Sequence, residues 1–150
     1  METISHSDYE SLAELRYQIR RFLHFSEQAA RKADMEPRQH QFLLAVKGLP
    51  AGSRPLVGAL AERLQIQHHS AVELVDRLVR GGFIRRERDA KDRRQVLLSL
   101  TARGEKVLRE LSLAHKSELR TTGPALQTAL ARVLRRMNKV GKGRSRSRAD

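Results

Sequence analysis

Between Arg80 and Arg94 the chain carries Arg80, Arg85, Arg86, Arg88, Lys91, Arg93 and Arg94, with Asp89-Ala90-Lys91-Asp92 as turn-forming residues inside the run. Just before it, residues 67–80 repeat apolar side chains at Ala71, Leu74, Val75 and Leu78, the i, i+3, i+4, i+7 set of an amphipathic helix. The outward positions are then Gln67, His68, His69, Ser70, Val72, Glu73, Arg77 and Arg80. Gln and Arg can hydrogen-bond base edges, and His and Ser can contact bases or phosphates. Val can meet a thymine methyl, and Glu can accept from the cytosine amino group. The chemistry offered is recognition of a polyanion. Taken alone, such a helix reads as an ordinary surface helix; a cationic hairpin directly after it shifts the balance, because arginines on a hairpin tip suit a narrow minor groove.

Elements of the right size surround this pair. Leu12, Leu15, Ile19, Phe22 and Leu23 place one apolar face on a long helix over residues 8–33. Pro37 opens a second helix with Phe42, Leu43 and Val46 as its stripe, ended by Gly48, Pro50 and Gly52. Val57, Leu60, Ala61 and Leu64 give a short third helix, and residues 67–80 a fourth, stopped by Gly81-Gly82. The period then changes to two: Val96, Leu98 and Leu100 alternate with Leu97 and Ser99, which predicts a β-hairpin. Thr101 can cap a fifth helix, with Glu105 one residue late for a strict capping box. Gly123-Pro124 predicts a break and a sixth helix to about residue 138. The expected fold is mainly α with a small β-hairpin wing (α+β), a winged helix-turn-helix. The reading is one domain over residues 1–150, its DNA-binding region spanning 37–100 and its wing 85–97. Residues 139–150, basic and rich in Gly and Ser, are expected to be a disordered tail.

Composition narrows the partners. Lys and Arg number 30 against 17 Asp and Glu, a net charge of +13 over 150 residues. A field of that sign attracts nucleic acid, anionic membrane or acidic protein. Cysteine is absent, which removes disulfides, thiolate metal sites and thiol redox sensing. No apolar run approaches the roughly 20 residues of a membrane span, and the polar, acidic start METISHSDYE does not read as a secretory signal. A cytoplasmic protein with no membrane partner is the expectation. Neither a G-x-S-x-G elbow, a P-loop nor a glycine-rich dinucleotide fingerprint occurs, so an enzyme is not expected, and no cofactor. His68-His69 are adjacent, so their rings splay apart on a helix, and no metal site is expected.

Several short motifs resemble the MarR family of bacterial transcription regulators. They are Asp76-Arg77-Leu78, Gly82-Phe83, Asp92-Arg93-Arg94 and Leu100-Thr101, preceded by Ala61-Glu62-Arg63-Leu64 and by the Pro37-Arg38-Gln39-His40-Gln41 helix start. The resemblance implies a homodimer whose N- and C-terminal helices, here 8–33 and 101–138, interlock as dimerisation helices. It implies two winged domains reading a pseudo-palindrome in double-stranded DNA. By matching position, Arg94 is the wing arginine of the minor groove. Asp92 then holds the wing through an ion pair, since phosphates repel a carboxylate. Two departures stand out: Val72-Glu73 occupies positions where Ser or Thr followed by Arg or Lys is common, and Leu56 stands where a capping Ser or Thr is usual. Glu73 either accepts from a cytosine or pairs with Arg77 at i+4.

Regulators of this family often bind small aromatic or phenolic effectors. Tyr17, Arg21, His24, Phe25, His40 and Phe42 are the candidate ligand residues, against plain core packing for each of them. The leading expectation is a ligand-responsive homodimeric repressor. The competing one is a nucleoid-associated architectural protein with low sequence specificity, which the net charge and basic tail favour and the base-reading side chains of residues 67–80 disfavour.

Overall fold

The computed structural model describes the backbone of residues 3–145 and side chains as far as Asn138. Five helices and one hairpin follow in order: α1 His6–Lys32, α2 Pro37–Lys47, α3 Val57–Leu64, α4 His68–Arg80, β1 Ile84–Arg88, β2 Val96–Leu100 and α5 Ala102–Ser145. The fold is therefore mostly helical with a two-stranded antiparallel hairpin. The chain divides into two compact units, one of residues 27–114 and one of the two flanking segments.

The 27–114 unit holds the hydrophobic core. Phe42, Leu43 and Val46 of α2 meet Leu60 and Ala61 of α3 and all four inward residues of α4, Ala71, Leu74, Val75 and Leu78. Ile84, Leu98 and Leu100 of the hairpin and Leu108 and Leu111 of α5 close it. Burying a Leu- or Phe-sized side chain is worth about 1.5–3 kcal/mol each, so the 3.6-residue repeat of α4 fixes which of its faces remains outside. Helix α3 starts at Leu56 with no side-chain cap and ends at Gln65 in the left-handed conformation (φ 55°), the turn that lets α4 begin three residues later. Helix α4 closes at Gly82 (φ 74°), where a side chain would be strained, and Phe83 N–H returns to the Leu78 carbonyl at 2.9 Å.

The hairpin pairs Ile84 with Leu100, Arg86 with Leu98 and Arg88 with Val96. Ile84, Leu98 and Leu100 are buried, so one face packs inward while β1's arginines stay exposed. The backbone N–H of Leu98 also donates to the Pro55 carbonyl (3.0 Å), tying the wing to the segment before α3. Thr101 caps α5, its Oγ1 accepting from Gly104 N–H at 3.1 Å and donating to the Gly82 carbonyl at 2.6 Å.

In the second unit α1 and α5 depart from expectation. The stripe of α1 is not covered within the chain: Leu12 is 50% exposed, Ile19 41% and Leu23 45%, while Leu15 and Phe22 are half-buried. The buried positions on this stretch are polar, Ser11 and Gln18, each satisfied one turn back by the Ser7 carbonyl (2.7 Å) and Glu14 (2.8 Å). The Gly123-Pro124 break does not occur; α5 runs through it. Proline removes one helical hydrogen bond, but Gly123 has no Cβ to clash with the proline ring, and the Leu-, Ala- and Arg-rich runs on both sides are strong helix formers. The helix also takes in residues 139–145, which were expected to be disordered; residues 146–150 of that tail lie outside the described residues. Asp8 accepts from the Ser5 hydroxyl (2.7 Å), Ser5 N–H (2.8 Å) and Arg136 Nε (2.6 Å). The Ser5 hydrogen bonds first, then the Arg136 contact, lower its pKa from 3.8 to about 2. Among the described residues no helix is long and apolar enough to cross a membrane.

Candidate nucleic-acid interface

The burial of Ala71, Leu74, Val75 and Leu78 leaves His68, His69, Val72, Glu73, Arg77 and Arg80 exposed on one side of α4, with Ser70 half-buried. Gln67 is the N-cap residue; its side chain makes no capping bond and is exposed. The first turn of α4 thus presents polar side chains that make no hydrogen bond or ion pair with any described residue.

Further along, the cations are engaged. Arg77 Nη1 reaches Glu36 Oε2 at 3.1 Å. This corrects the i+4 pairing of Glu73 with Arg77: the arginine extends to the start of α2 instead, where Glu36 N–H donates to Gln39 Oε1 (3.1 Å). Arg80 Nε leans on the Asp76 carbonyl at 3.4 Å, and Arg86 forms an ion pair with the Asp76 carboxylate. That pair joins β1 to α4. Arg88 Nη1 donates to the Arg93 carbonyl at 2.9 Å, across the hairpin.

The wing tip is different. Lys91, Arg93 and Arg94 are exposed, and the Arg94 side chain is 93% exposed. Asp92 Oδ1 accepts from Arg94 N–H and from Arg94 Nε, both at 3.2 Å, so the carboxylate shapes the turn and pairs with the neighbouring arginine together.

Two residues that hold this tip were not singled out from sequence. Asp89 looked like simple turn chemistry, yet it is buried and receives the Arg54 guanidinium, which also donates to Gln95. Asp89 Oδ1 accepts Lys91 N–H as well (3.1 Å). Arg54 lies in the loop Ser53-Arg54-Pro55, 35 residues before its partner, and only the Asp-in-turn signal at one end was readable. At the other end of the wing, Arg103 donates to the Gly81 carbonyl (2.8 Å) with its guanidinium 4.5 Å from the Phe83 ring centroid. A Cβ on Gly104 would collide with the Phe83 carbonyl oxygen. The start of α5 is therefore locked onto the end of α4.

The candidate ligand residues fall in both units. Arg21 lies over the Tyr17 ring at 5.8 Å, His24 is exposed, and Phe25 meets His115 edge-on at 5.4 Å between centroids. His115 Nε2 is 2.8 Å from Ser26 Oγ. Phe42 and His40 are buried in the other unit, Phe42 in its core. No cluster of three or more metal-ligating side chains occurs among the described residues.

A three-helix unit with a helix-turn-helix over α3 and α4 and a two-stranded wing after it is a winged helix-turn-helix. The MarR family model matches residues 33–95 of the chain. Solved structures share the fold along nearly the whole chain. AbsC, a MarR family transcriptional regulator from Streptomyces coelicolor, is 18% identical with a TM-score of 0.71, covering 95% of this chain and 99% of its own. RV1404 from Mycobacterium tuberculosis is 24% identical, TM-score 0.67, covering 93% and 97%. A mutant MarR from E. coli, complexed with operator DNA, is 18% identical, TM-score 0.61, covering 83% and 89%. No curated protein matches the sequence.

Proposed function

We propose that this protein is a sequence-specific regulator of transcription that binds double-stranded DNA, with α4 in the major groove and the wing tip at the minor groove. The observation that carries it is the pairing of an exposed, polar first half of α4 with a wing tip whose Lys91, Arg93 and Arg94 project into solvent. Gln67, His68, His69, Ser70, Val72 and Glu73 face base edges; Arg80 and the tip cations face phosphates and the minor groove. Arg77, Arg86 and Arg88 first hold the surface in shape through their internal partners. The operator-bound E. coli relative supports this placement.

The regulator acts as a homodimer. Its dimerisation helices are α1 and α5, within the expected spans 8–33 and 101–138. Leu12, Ile19, Leu23, Leu130 and Leu134 are each between 41% and 50% exposed, and Ile4 and Met137 more so. An apolar stripe of this extent on a soluble chain marks a protein contact, and a second copy burying it would pair two α4 helices for an inverted repeat. Sedimentation at micromolar concentration should give a dimer. A monomer would remove this part of the reading.

An aromatic carboxylate or phenol is the proposed effector, held by Arg21 and the Tyr17, His24 and Phe25 rings, and releasing the repressor from DNA. A titration with salicylate-like acids that moves neither melting temperature nor DNA affinity would count against it.

The deciding experiment is selection of genomic DNA fragments by the purified protein, then footprinting at physiological salt. A protected inverted repeat of about two helical turns is expected. Diffuse protection without a repeat would point to an architectural DNA coat instead.

A further inference from the structure

Glu73 occupies the first half of α4, one turn after His69 and one turn before Arg77, on the exposed face. Both nearby ion pairs pass it by. Arg77 is committed to Glu36 at 3.1 Å, and Arg86 to Asp76. The Glu73 carboxylate has no hydrogen bond or ion pair with any described residue. A chain of net charge +13 therefore places an unneutralised anion in the middle of the face argued above to meet DNA.

Such a group repels every phosphate it approaches. Desolvating it against a base acceptor would repel it further. In the major groove guanine offers only N7 and O6 acceptors, and thymine an O4 acceptor beside its methyl group. Adenine offers an amino donor flanked by the N7 acceptor, which opposes the second carboxylate oxygen. Cytosine alone offers an amino donor, N4, with an acceptor on one side only, the guanine O6 of its own pair, and a C5–H on the other. One partner in the groove compensates the charge, and three penalise it.

This rests on the DNA-binding reading above. We propose that Glu73 is a specificity-determining residue that fixes one cytosine in each half-site, its carboxylate accepting from the N4 amino group. Glu73 acts by exclusion as much as by attraction: it contributes little to affinity for the right site and rejects the others. The neighbouring Val72, 36% exposed, offers no polar group that could substitute.

The test is selection from a random duplex library with the wild-type protein, Glu73→Ala and Glu73→Gln. Both substitutions are on an exposed helical position, so folding is preserved. The wild type should return a motif with an invariant cytosine at one position of each half-site. Changing that cytosine to thymine should cost the wild type about tenfold in affinity and Glu73→Ala less than twofold. Glu73→Gln should move the preference toward adenine, whose N6 and N7 match a carboxamide. A Glu73→Ala motif identical to the wild type at every position would overturn the proposal and leave the sequence-specific reading standing. No motif from any of the three proteins would overturn both.

Discussion

Helix α4 with β1 and the tip of the wing are both rich in arginine, and they place it in opposite circumstances. On the helix side, Arg77 is matched by Glu36, Arg86 by Asp76, and Arg88 by a backbone carbonyl. At the tip, Arg94 pairs with Asp92, and the exposed Lys91 and Arg93 side chains have no carboxylate partner among the described residues. Exposed pairs of this kind contribute about 0–1 kcal/mol of stability each, so their effect is on geometry and local charge. Helix α4 ends close to neutral and is positioned by its pairs; the tip stays cationic. Affinity should then come chiefly from the wing, and selectivity from the helix.

The most damaging test addresses the joint that both regions share. Gly104→Ala drives a Cβ into the Phe83 carbonyl, the same oxygen that accepts Thr101 N–H at 3.0 Å. Relief requires moving the end of α4, the base of β1 or the start of α5. A loss of about 3 kcal/mol or more is expected in urea denaturation. An unchanged midpoint would mean the joint is loose and that helix and wing are not held in register by it.

Next in size is removal of the tip cations. The triple substitution Lys91→Ala, Arg93→Ala, Arg94→Ala should weaken DNA binding on the order of a hundredfold at physiological salt, and flatten log K against log salt by about 1 per lost phosphate contact. The selected motif should be retained. A changed motif would break the division of labour by showing that the tip reads sequence.

Arg54→Ala acts on the wing without touching its exposed cations. It strands the buried Asp89 carboxylate, and a loss of about 1–3 kcal/mol is expected. Arg54→Lys should restore little, because one ammonium cannot serve Asp89 and Gln95 as a planar fork does. Full rescue by lysine would show that the charge alone matters.

Glu36→Gln probes the opposite side of the comparison. It keeps the backbone bond from residue 36 to Gln39 and removes the charge facing Arg77. Stability should change by less than about 0.5 kcal/mol, while affinity for random-sequence DNA rises a few-fold, with a salt slope steeper by up to about 1. If random-sequence affinity stays flat, Arg77 does not reach phosphate even when released.

The sequence carried the helix-turn-helix and hairpin because each is encoded locally: the 3.6-residue repeat of Ala71, Leu74, Val75 and Leu78, the glycine pair, and the alternation of Val96, Leu98 and Leu100. The exposed site residues followed from the same repeats. Partnerships across long separations were not readable. Arg54 with Asp89 and Arg77 with Glu36 each join segments dozens of residues apart, and a charged residue's type does not announce its partner. Gly123-Pro124 misled for a different reason: the pair normally signals a break, but glycine before proline is also the arrangement that obstructs a continuing helix least. The α1 stripe was legible as apolar, while whether this chain or a second copy covers it depends on packing that periodicity does not encode.

The smallest effect concerns Asp8, whose ion pair with Arg136 lies outside the winged unit and so serves as a control. Its folded pKa, about 2, is below the ordinary 3.8, so its charged form is favoured by folding. The stabilisation is fully present above pH 4 and disappears as pH falls through about 2. Wild type and Asp8→Asn should therefore differ slightly in denaturation midpoint at pH 5–7 and converge near pH 2. DNA affinity of the two proteins at neutral pH should agree. A variant that loses DNA affinity while keeping its midpoint would couple this flank to the recognition surface, and the comparison of helix with wing would have to include a third region.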